Sequence, residues 1–129
     1  MKEHIIYKYE AFDGTMFDDA FACRDYEIRE QAKTSSVVLL DEKWEELAIN
    51  TDSIARCTAV ICNSVEDIQF VKDIFNAEGY AHPFSQNYGS CEEKVGIYLY
   101  DEDNDIWFNF DEKFETAKFM YNRCLMYRR

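Results

Sequence analysis

Hydrophobic and polar positions alternate with a period of two near the N-terminus of this chain. The segment HIIYKYEAFDG therefore predicts a β-strand, and its closing pair Asp13-Gly14 predicts a tight turn. The segment TMFDD is predicted to return from that turn. From about Asp18 the period becomes helical, and acidic residues at the start of a helix interact favourably with its dipole. The predicted apolar stripe of this helix contains Phe17, Phe21, Ile28 and Ala32.

The middle of the chain contains two further apolar runs and a second helical pattern. SSVVLLD predicts a strand, EKWEELAI is compatible with a returning strand or a helical turn, and RCTAVICNS is apolar enough to predict a central strand. Ser64 and Asp67 have nearly the spacing of a capping box, so a helix is predicted to begin here, and Gly79 is a natural end for it. The predicted core-facing stripe of this helix contains Val65, Ile68, Val71 and Phe75.

The last third begins with an irregular segment, YAHPFSQNYGSCEE. Two alternating segments follow, KVGIYLY and IWFNF, which predict strands on either side of an acidic tip. DEKFETAKFMYNRCLMYRR predicts a closing helix. Its apolar stripe contains Phe114, Ala117, Tyr121, Cys124 and Leu125.

The order of these elements predicts an α+β fold, with a mostly antiparallel sheet and about three helices packed on it. Of the 129 residues, 47% are apolar and 16% aromatic, which is enough to build a hydrophobic core. With four glycines, one proline and no low-complexity run, the sequence indicates one domain spanning residues 1–129.

The formal net charge of −12 is unevenly distributed along the chain. Residues 1–112 hold nine basic and 25 acidic residues, a net charge of −16, whereas residues 113–129 have a net charge of +4. An acidic surface repels phosphate backbones, so direct binding of DNA or RNA is not expected. The acidity is interpreted either as a means of solubility or as an imitation of nucleic acid towards a basic partner. The cationic tail is a candidate to dock on an acidic face of a second subunit or to hold a small anion.

The segment DEDNDIWFNFDE has two interpretations. Asp101, Asp103 and Asp105 have the spacing of calcium ligands, which makes them a weak alternative metal site. A calcium loop of this kind requires glycine at its sixth position, where this chain has Ile106. The alternation of apolar residues through Ile106 instead favours a β-hairpin.

Patterns typical of catalytic sites are sparse, so no enzyme and no cofactor are predicted. The chain lacks a phosphate-binding glycine loop and the common hydrolase and metalloprotease motifs. Five cysteines without paired spacing predict reduced, mostly buried thiols of a cytoplasmic protein. Cys91 and His82 flank the irregular segment, but a buried or surface thiol beside a loop histidine is the simpler interpretation. No stretch is apolar enough for a membrane span.

A ligand site is predicted around the irregular segment because its rings and amides can stack on a base and read its polar edge. Arginines elsewhere can neutralise phosphates. The simpler interpretation of each residue is core packing or a helix end. The candidate ligand-binding residues are Arg56, Phe84, Gln86, Asn87, Tyr88 and Arg123.

The segments YKYEAFDGTMFDDAFACRDYE and IYLYDEDNDIWFNFDEKFE resemble the opening and closing parts of small phage and prophage accessory proteins. Anti-defence proteins, including inhibitors of CRISPR and Thoeris immunity, are of similar size and origin. The nearest comparison is the Thoeris anti-defence sponge family, which captures cyclic ADP-ribose signals between subunits without cleaving them. This resemblance implies a homo-oligomer that sequesters a cyclic nucleotide-type signal.

Three functional hypotheses follow. The first is the non-catalytic sponge for a cyclic nucleotide-type signal. The second is an acidic protein-binding inhibitor, of the anti-CRISPR or DNA-mimic type, directed at a basic host nuclease. The third is a structural or regulatory phage protein whose acidic surface only keeps it soluble. The predicted location is the cytoplasm, which is that of the host cell if the protein is phage-encoded, and no direct contact to nucleic acid or membrane is expected.

Overall fold

The computed structural model of the protein describes residues 7–84 and 93–128. The strands are β1 (Tyr9–Glu10), β2 (Met16–Phe17), β3 (Val38–Leu40), β4 (Glu46–Leu47), β5 (Ala59–Cys62), β6 (Gly96–Asp101) and β7 (Ile106–Asn109). The helices are α1 (Ala20–Ala32), α2 (Thr51–Arg56), α3 (Val65–Ala77) and α4 (Phe110–Leu125).

The main sheet has five strands in the order β4-β3-β5-β6-β7, and every neighbouring pair is antiparallel. Strands β1 and β2 form a separate two-stranded ribbon. These elements confirm the predicted α+β class with an antiparallel sheet. The run RCTAVICNS contains the central strand β5, as predicted, and the short α2 is added to the three predicted helices.

One face of the main sheet forms the hydrophobic core together with α3. The strand register aligns Leu39, Val60 and Tyr98 in one row across three strands, and each of them is fully buried. From α3, the side chains of Val71 and Phe75 pack into the same buried cluster. Burial of these large apolar groups is the main favourable contribution to folding.

Helix α3 begins at the predicted capping box. The Ser64 side chain accepts a hydrogen bond from the amide of Asp67, and Asp67 accepts one in return from the amide of Ser64. Ile68 and the rest of the predicted stripe are buried, but Val65 is exposed, so its assignment to the core was wrong. Val65 is the first residue of α3 and lies at the edge of the helix–sheet contact.

The N-terminal ribbon contains the predicted turn, and Gly14 has a φ of +89° there. This left-handed conformation favours glycine. Helix α1 then begins after Asp19, whose carboxylate caps the amides of Phe21 and Ala22. Ile28 is buried as predicted, whereas the ring of Phe21 is exposed, contrary to its place on the predicted stripe.

Helix α2 was missed in the sequence pattern because six residues are too few for a visible apolar period. It begins at a capping box in which Asn50 and Ser53 exchange hydrogen bonds. The preceding ambiguous segment, EKWEELAI, contains β4 and is thus a returning strand, one of the two alternatives.

The segment around Ile106 is a β-hairpin. Strands β6 and β7 pair antiparallel with Asp101 opposite Ile106, so residues 102–105 form the tip. The hairpin interpretation of DEDNDIWFNFDE is therefore confirmed.

Helix α4 leaves the end of β7 and contacts the rest of the protein through its first turn. Asn109 caps it, and Asp111 accepts a hydrogen bond from the amide of Ile97 at 2.9 Å. Glu112 pairs with Lys94 at 3.0 Å. None of the 16 residues of α4 is buried, so its predicted apolar stripe lies on the surface. Within residues 7–84 and 93–128, no helix is long and apolar enough to cross a membrane.

Candidate functional site

A cavity of about 990 Å³ lies where two hairpins and α2 meet. Its walls come from the β3–β4 hairpin at residues 41–45, the end of α2 with the link to β5 at 54–58, the segment 79–81 after α3, and the β6–β7 hairpin. We call it the tip cavity because the tips of both hairpins contribute to it. Its size is in the range of ligand-binding pockets.

The lining of the tip cavity is dominated by carboxylates. Among the described residues that line it, Lys43 and Arg56 are the two cationic side chains. Five acidic side chains lie in the same lining, which gives these described residues a net charge of −3. These are Asp41, Glu42, Glu45, Glu102 and Asp105.

The β3–β4 hairpin is shaped by the side chain of Asp41. Its Oδ1 accepts hydrogen bonds from the amides of Lys43 at 2.8 Å and Glu45 at 3.0 Å. Both hydrogen bonds, chiefly the one from the amide of Glu45, hold the pKa of Asp41 below its usual value. The turn places Trp44 at a φ of +65°, a conformation that a bulky residue rarely adopts. Its indole ring is exposed, and its chain neighbours Lys43 and Glu45 both line the cavity.

Aromatic rings also line the cavity. Tyr100 and Trp107 lie 5.3 Å apart between ring centroids, and Tyr80, another lining residue, is exposed. The Tyr100 hydroxyl donates a hydrogen bond to Asp105, which raises the pKa of Tyr100. Tyrosine therefore keeps its proton, and the carboxylate of Asp105 is held in place beside the rings.

Of the predicted ligand residues that the structure describes, only Arg56 lines the tip cavity. It is the last residue of α2, and its Nη1 lies 3.2 Å from Oδ2 of Asp52 one helical turn earlier. Both side chains are exposed, so the pair is weak and can open towards a ligand.

Two other predicted ligand residues that the structure describes, Phe84 and Arg123, do not line this cavity. Phe84 is buried and contacts Tyr98 edge-on at 4.8 Å between centroids, so its ring belongs to the core. Arg123 is exposed on α4, with its Nη1 3.6 Å from the sulfur of Met126. Gln86, Asn87 and Tyr88 lie outside the described residues. A shared site of these six residues stays a prediction.

The carboxylates of the hairpin tip contact their own turn. Asp101 accepts hydrogen bonds from the amide of Asp103 at 3.1 Å and from the side chain of Asn104 at 2.9 Å. Asp105 is instead turned to Tyr100. In the part of the chain that the structure describes, no group of three or more His, Cys, Asp or Glu side chains is arranged to hold a metal ion.

The thiols are poorly suited to nucleophilic chemistry. Burial raises the pKa of both Cys57 and Cys62 to about 12, so they are protonated at neutral pH. Cys23 is also buried, and Cys124 is exposed on α4. Cys91 lies outside the described residues. A thiol needs a lowered pKa to act as a nucleophile, and Cys57 and Cys62 have the reverse.

Burial, together with the positive charge of Lys72, lowers the pKa of His82. Its Nδ1 accepts a hydrogen bond from the amide of Phe84 at 3.2 Å. This bond ties the imidazole to the local backbone.

Two residues beside the cavity escaped the sequence patterns. For Trp44, the only indication in the sequence is its place in an acidic segment typical of a turn. Tyr80 lies at the start of the segment that the sequence predicts to be irregular. Comparisons of the chain with protein-family models, curated proteins and solved structures found no match. The resemblance to phage anti-defence proteins therefore stays a prediction.

Proposed function

We propose that the protein is a non-catalytic binding protein that captures a basic protein partner at the tip cavity. The observation that carries this proposal is the lining of the cavity, whose described residues include five carboxylates and two cations. Concave sites lined by one sign of charge attract ligands of the opposite sign and speed their association. A protein with exposed lysine or arginine side chains matches this chemistry.

The aromatic wall supports the same class of partner. An arginine or lysine side chain that enters the cavity meets Tyr80 and Tyr100 as well as the carboxylates, and cations bind favourably over aromatic faces. Trp44, which is exposed between the lining residues Lys43 and Glu45, would supply an apolar anchor of the kind that dominates protein interfaces.

In biological terms this is an acidic inhibitor of the anti-CRISPR or DNA-mimic type, acting on a basic host nuclease in the host cytoplasm. The net charge of −16 over residues 1–112 supports it, because such a surface repeats the charge of the nucleic acid that a nuclease binds. The resemblance of the chain to small phage accessory proteins favours the same setting. We also propose that the protein acts as a homo-oligomer.

A second candidate is the sponge for a cyclic ADP-ribose-like signal. It is favoured by one observation, that Arg56 and the ring of Tyr80 share the wall of a cavity large enough for a nucleotide. The excess of carboxylates around Arg56 opposes binding of a diphosphate, and for this reason the basic partner is the leading proposal.

Calorimetric titration of the protein with an arginine-rich peptide, and separately with cyclic ADP-ribose, distinguishes the two. We expect the peptide to bind, and the double variant Glu45→Gln/Glu102→Gln to weaken it about tenfold, since each exposed charge contributes up to about 1 kcal/mol. Glu66→Gln/Glu115→Gln removes the same charge from α3 and α4 and serves as the matched control.

If the cavity variant and its control weaken peptide binding equally, binding depends only on the overall charge of the protein. This result would contradict a binding site at the tip cavity. Binding of cyclic ADP-ribose, lost in Arg56→Gln and followed by recovery of intact ligand after heat denaturation, would establish the sponge instead. Recovery of cleaved ligand would contradict both proposals and indicate an enzyme.

A further inference from the structure

The two hairpin tips that line the tip cavity lie at the same edge of the main sheet. Strands β3 and β6 both run antiparallel to β5, so they are parallel to each other and end at the same edge. The first tip, residues 41–45, follows β3, and the second tip, residues 102–105, follows β6. The cavity therefore receives side chains from two separate turns at one end of the sheet.

One strand separates the two tips. Thr58, directly before β5, donates a backbone hydrogen bond to Leu40 at 2.8 Å and accepts one from the amide of Tyr100 at 2.9 Å. Strands β3 and β6 are thus two strand spacings apart and the midpoints of the two hairpins three, which correspond to about 10 and about 14 Å. A ligand with two charged groups at such a separation can reach both tips at once.

Each tip has its own excess of negative charge. Among the described lining residues, the first tip contributes three carboxylates and Lys43, a net charge of −2. The second tip contributes Glu102 and Asp105, which is also a net charge of −2. Arg56, which precedes the strand between the tips, adds one positive charge. This distribution favours two separate cations over a continuous run of positive charge.

Three of the five carboxylates are available to a ligand. Asp41 is engaged by the amides of its own turn, and Asp105 by the Tyr100 hydroxyl. The remaining three, Glu42 and Glu45 on the first tip and Glu102 on the second, are exposed. Within residues 7–84 and 93–128, their carboxylates make no hydrogen bond or ion pair. Each tip thus has at least one carboxylate that can turn to a cation.

The cavity lining also contains uncharged side chains. Tyr80, Tyr100 and Trp107 are aromatic, and Ile54 is aliphatic. Such side chains pack against methylene groups, which make up the stems of lysine and arginine. The lining therefore has groups that suit both the charged ends and the apolar stem of a linear ligand with two cations.

We infer that the tip cavity binds two cations at once, one at each tip, joined by an uncharged stem. The inference rests on the proposed function, because it specifies which feature of the basic partner enters the cavity. On that partner the two cations are lysine or arginine side chains whose charged groups lie between about 10 and 14 Å apart. Once the first cation is bound, the second is held at a high effective concentration, which increases affinity.

Calorimetric titration of the full chain with three small amines tests this inference. The terminal diamine of octane separates its ammonium groups by about 11 Å when extended. The terminal diamine of propane has the same two charges but is too short to reach both tips. Octylamine has the longer stem with one charge. We expect the octane diamine to bind about fivefold more tightly than either of the other two, since one more exposed charge pair is made.

One variant on each tip measures the contribution of that tip. Glu45→Gln and Glu102→Gln should each weaken binding of the octane diamine about fivefold. Glu66→Gln removes the same charge from an exposed position on α3 outside the cavity lining, and should have little effect. All three side chains are exposed, and far-ultraviolet circular dichroism checks that each variant keeps its fold.

Equal affinities for the octane diamine and octylamine would show that one charge on an apolar stem is sufficient. Equal affinities for the two diamines would show that the spacing of the charges does not matter. Either result would overturn the inference, as would a tip variant that behaves like Glu66→Gln. If the arginine-rich peptide still depends on the cavity carboxylates in these cases, the proposed function stands without the two-point site. If neither the peptide nor a diamine binds, both proposals are wrong.

Discussion

Asp111 accepts a hydrogen bond from the backbone amide of Ile97 at 2.9 Å, and this bond fixes the first turn of α4 to the start of β6. The contact depends on the preceding glycine. Gly96 has a φ of +146°, and a methyl group on its Cα would collide with the Asp111 carboxylate. The direction in which α4 leaves the body is thus set by a glycine and a carboxylate that are 15 positions apart in the sequence.

We predict that Gly96→Ala destabilises the protein by about 2–3 kcal/mol and loosens the root of α4. The cost combines backbone strain at positive φ with displacement of the Asp111 carboxylate. Chemical denaturation measures the change in unfolding free energy, and hydrogen exchange at the Ile97 amide reports the lost bond. Exchange at this amide should accelerate more than the change in global stability accounts for.

Gly79→Ala is the matched control for this substitution. Gly79 has a φ of +77°, but a methyl group there meets no atom within 4 Å. Gly79→Ala should lower the unfolding free energy only by the strain of the left-handed backbone, about 1 kcal/mol. Equal costs at the two glycines would contradict the role assigned to Asp111.

A second prediction concerns Asp67, which is buried at the start of α3. It accepts hydrogen bonds from the amides of Ser36, Asn63 and Ser64 and from the hydroxyl of Ser36 at 2.5 Å. Asp67→Asn should destabilise the protein by about 2–3 kcal/mol at neutral pH, because an amide cannot accept all of these bonds. Denaturant titration measures the loss.

The same residue predicts a pH dependence. Burial raises the pKa of Asp67, but the hydrogen bonds from Ser36, Asn63 and Ser64 lower it by more, so it lies below the ordinary value. The stabilisation is fully present above the unfolded-state pKa of about 3.9 and is lost as pH falls towards the folded-state pKa. In Asp67→Asn, this part of the decrease in unfolding free energy at acidic pH should be absent. Asp73→Asn, which changes an exposed carboxylate of α3, is the control.

Local signals in the sequence predicted much of the fold. The Asp13-Gly14 turn, the Ser64–Asp67 capping box and the alternation through Ile106 depend on residues close together in the chain, and all three lie where they were expected. Helix α2 escaped because its signal, the Asn50–Ser53 box, is short and carries no apolar period. The assignment of Val65 to the core was wrong. Periodicity indicates on which side of a helix a residue lies, but not where along the helix its contact with the sheet ends.

The candidate site was less accessible to sequence reasoning. Arg56 was identified from its charge. The cavity joins hairpins some 60 positions apart, and no local pattern indicates that Asp41 and Asp105 line the same cavity. Phe84 was predicted to stack on a ligand. An aromatic residue in an irregular segment gives the same local sequence pattern whether its ring lies on the surface or in the core. The stripe of α4 was visible in the pattern, but an apolar period does not tell whether the same chain covers it.

A third prediction distinguishes the cysteines by reactivity. A thiol reacts as its thiolate, and burial raises the pKa of Cys57 and Cys62 to about 12, whereas Cys124 is exposed. In the native protein at neutral pH, iodoacetamide should alkylate Cys124 well before Cys57 or Cys62, as followed by peptide mass spectrometry. In denaturant, all three sites should react at similar rates. Native alkylation of Cys62 as fast as Cys124 would contradict its place in the core.

The last prediction concerns Trp44, whose φ of +65° is costly for a bulky side chain. Replacing it by glycine should therefore stabilise the protein by about 1 kcal/mol, measured by chemical denaturation. The turn itself is held by Asp41, which accepts hydrogen bonds from the amides of Lys43 and Glu45 and does not need the indole. A residue that opposes the local backbone preference is a candidate for a binding role.

If Trp44 serves the tip cavity, stability and binding should change in opposite directions. Trp44→Gly is expected to gain stability and to bind the arginine-rich peptide several-fold more weakly, because the exposed ring is lost. Trp44→Phe keeps both an aromatic ring and the strained backbone, so it should retain most of the binding without the gain in stability. A Trp44→Gly variant that is more stable and binds unchanged would remove Trp44 from the site, while leaving the carboxylate lining to be tested by its own variants.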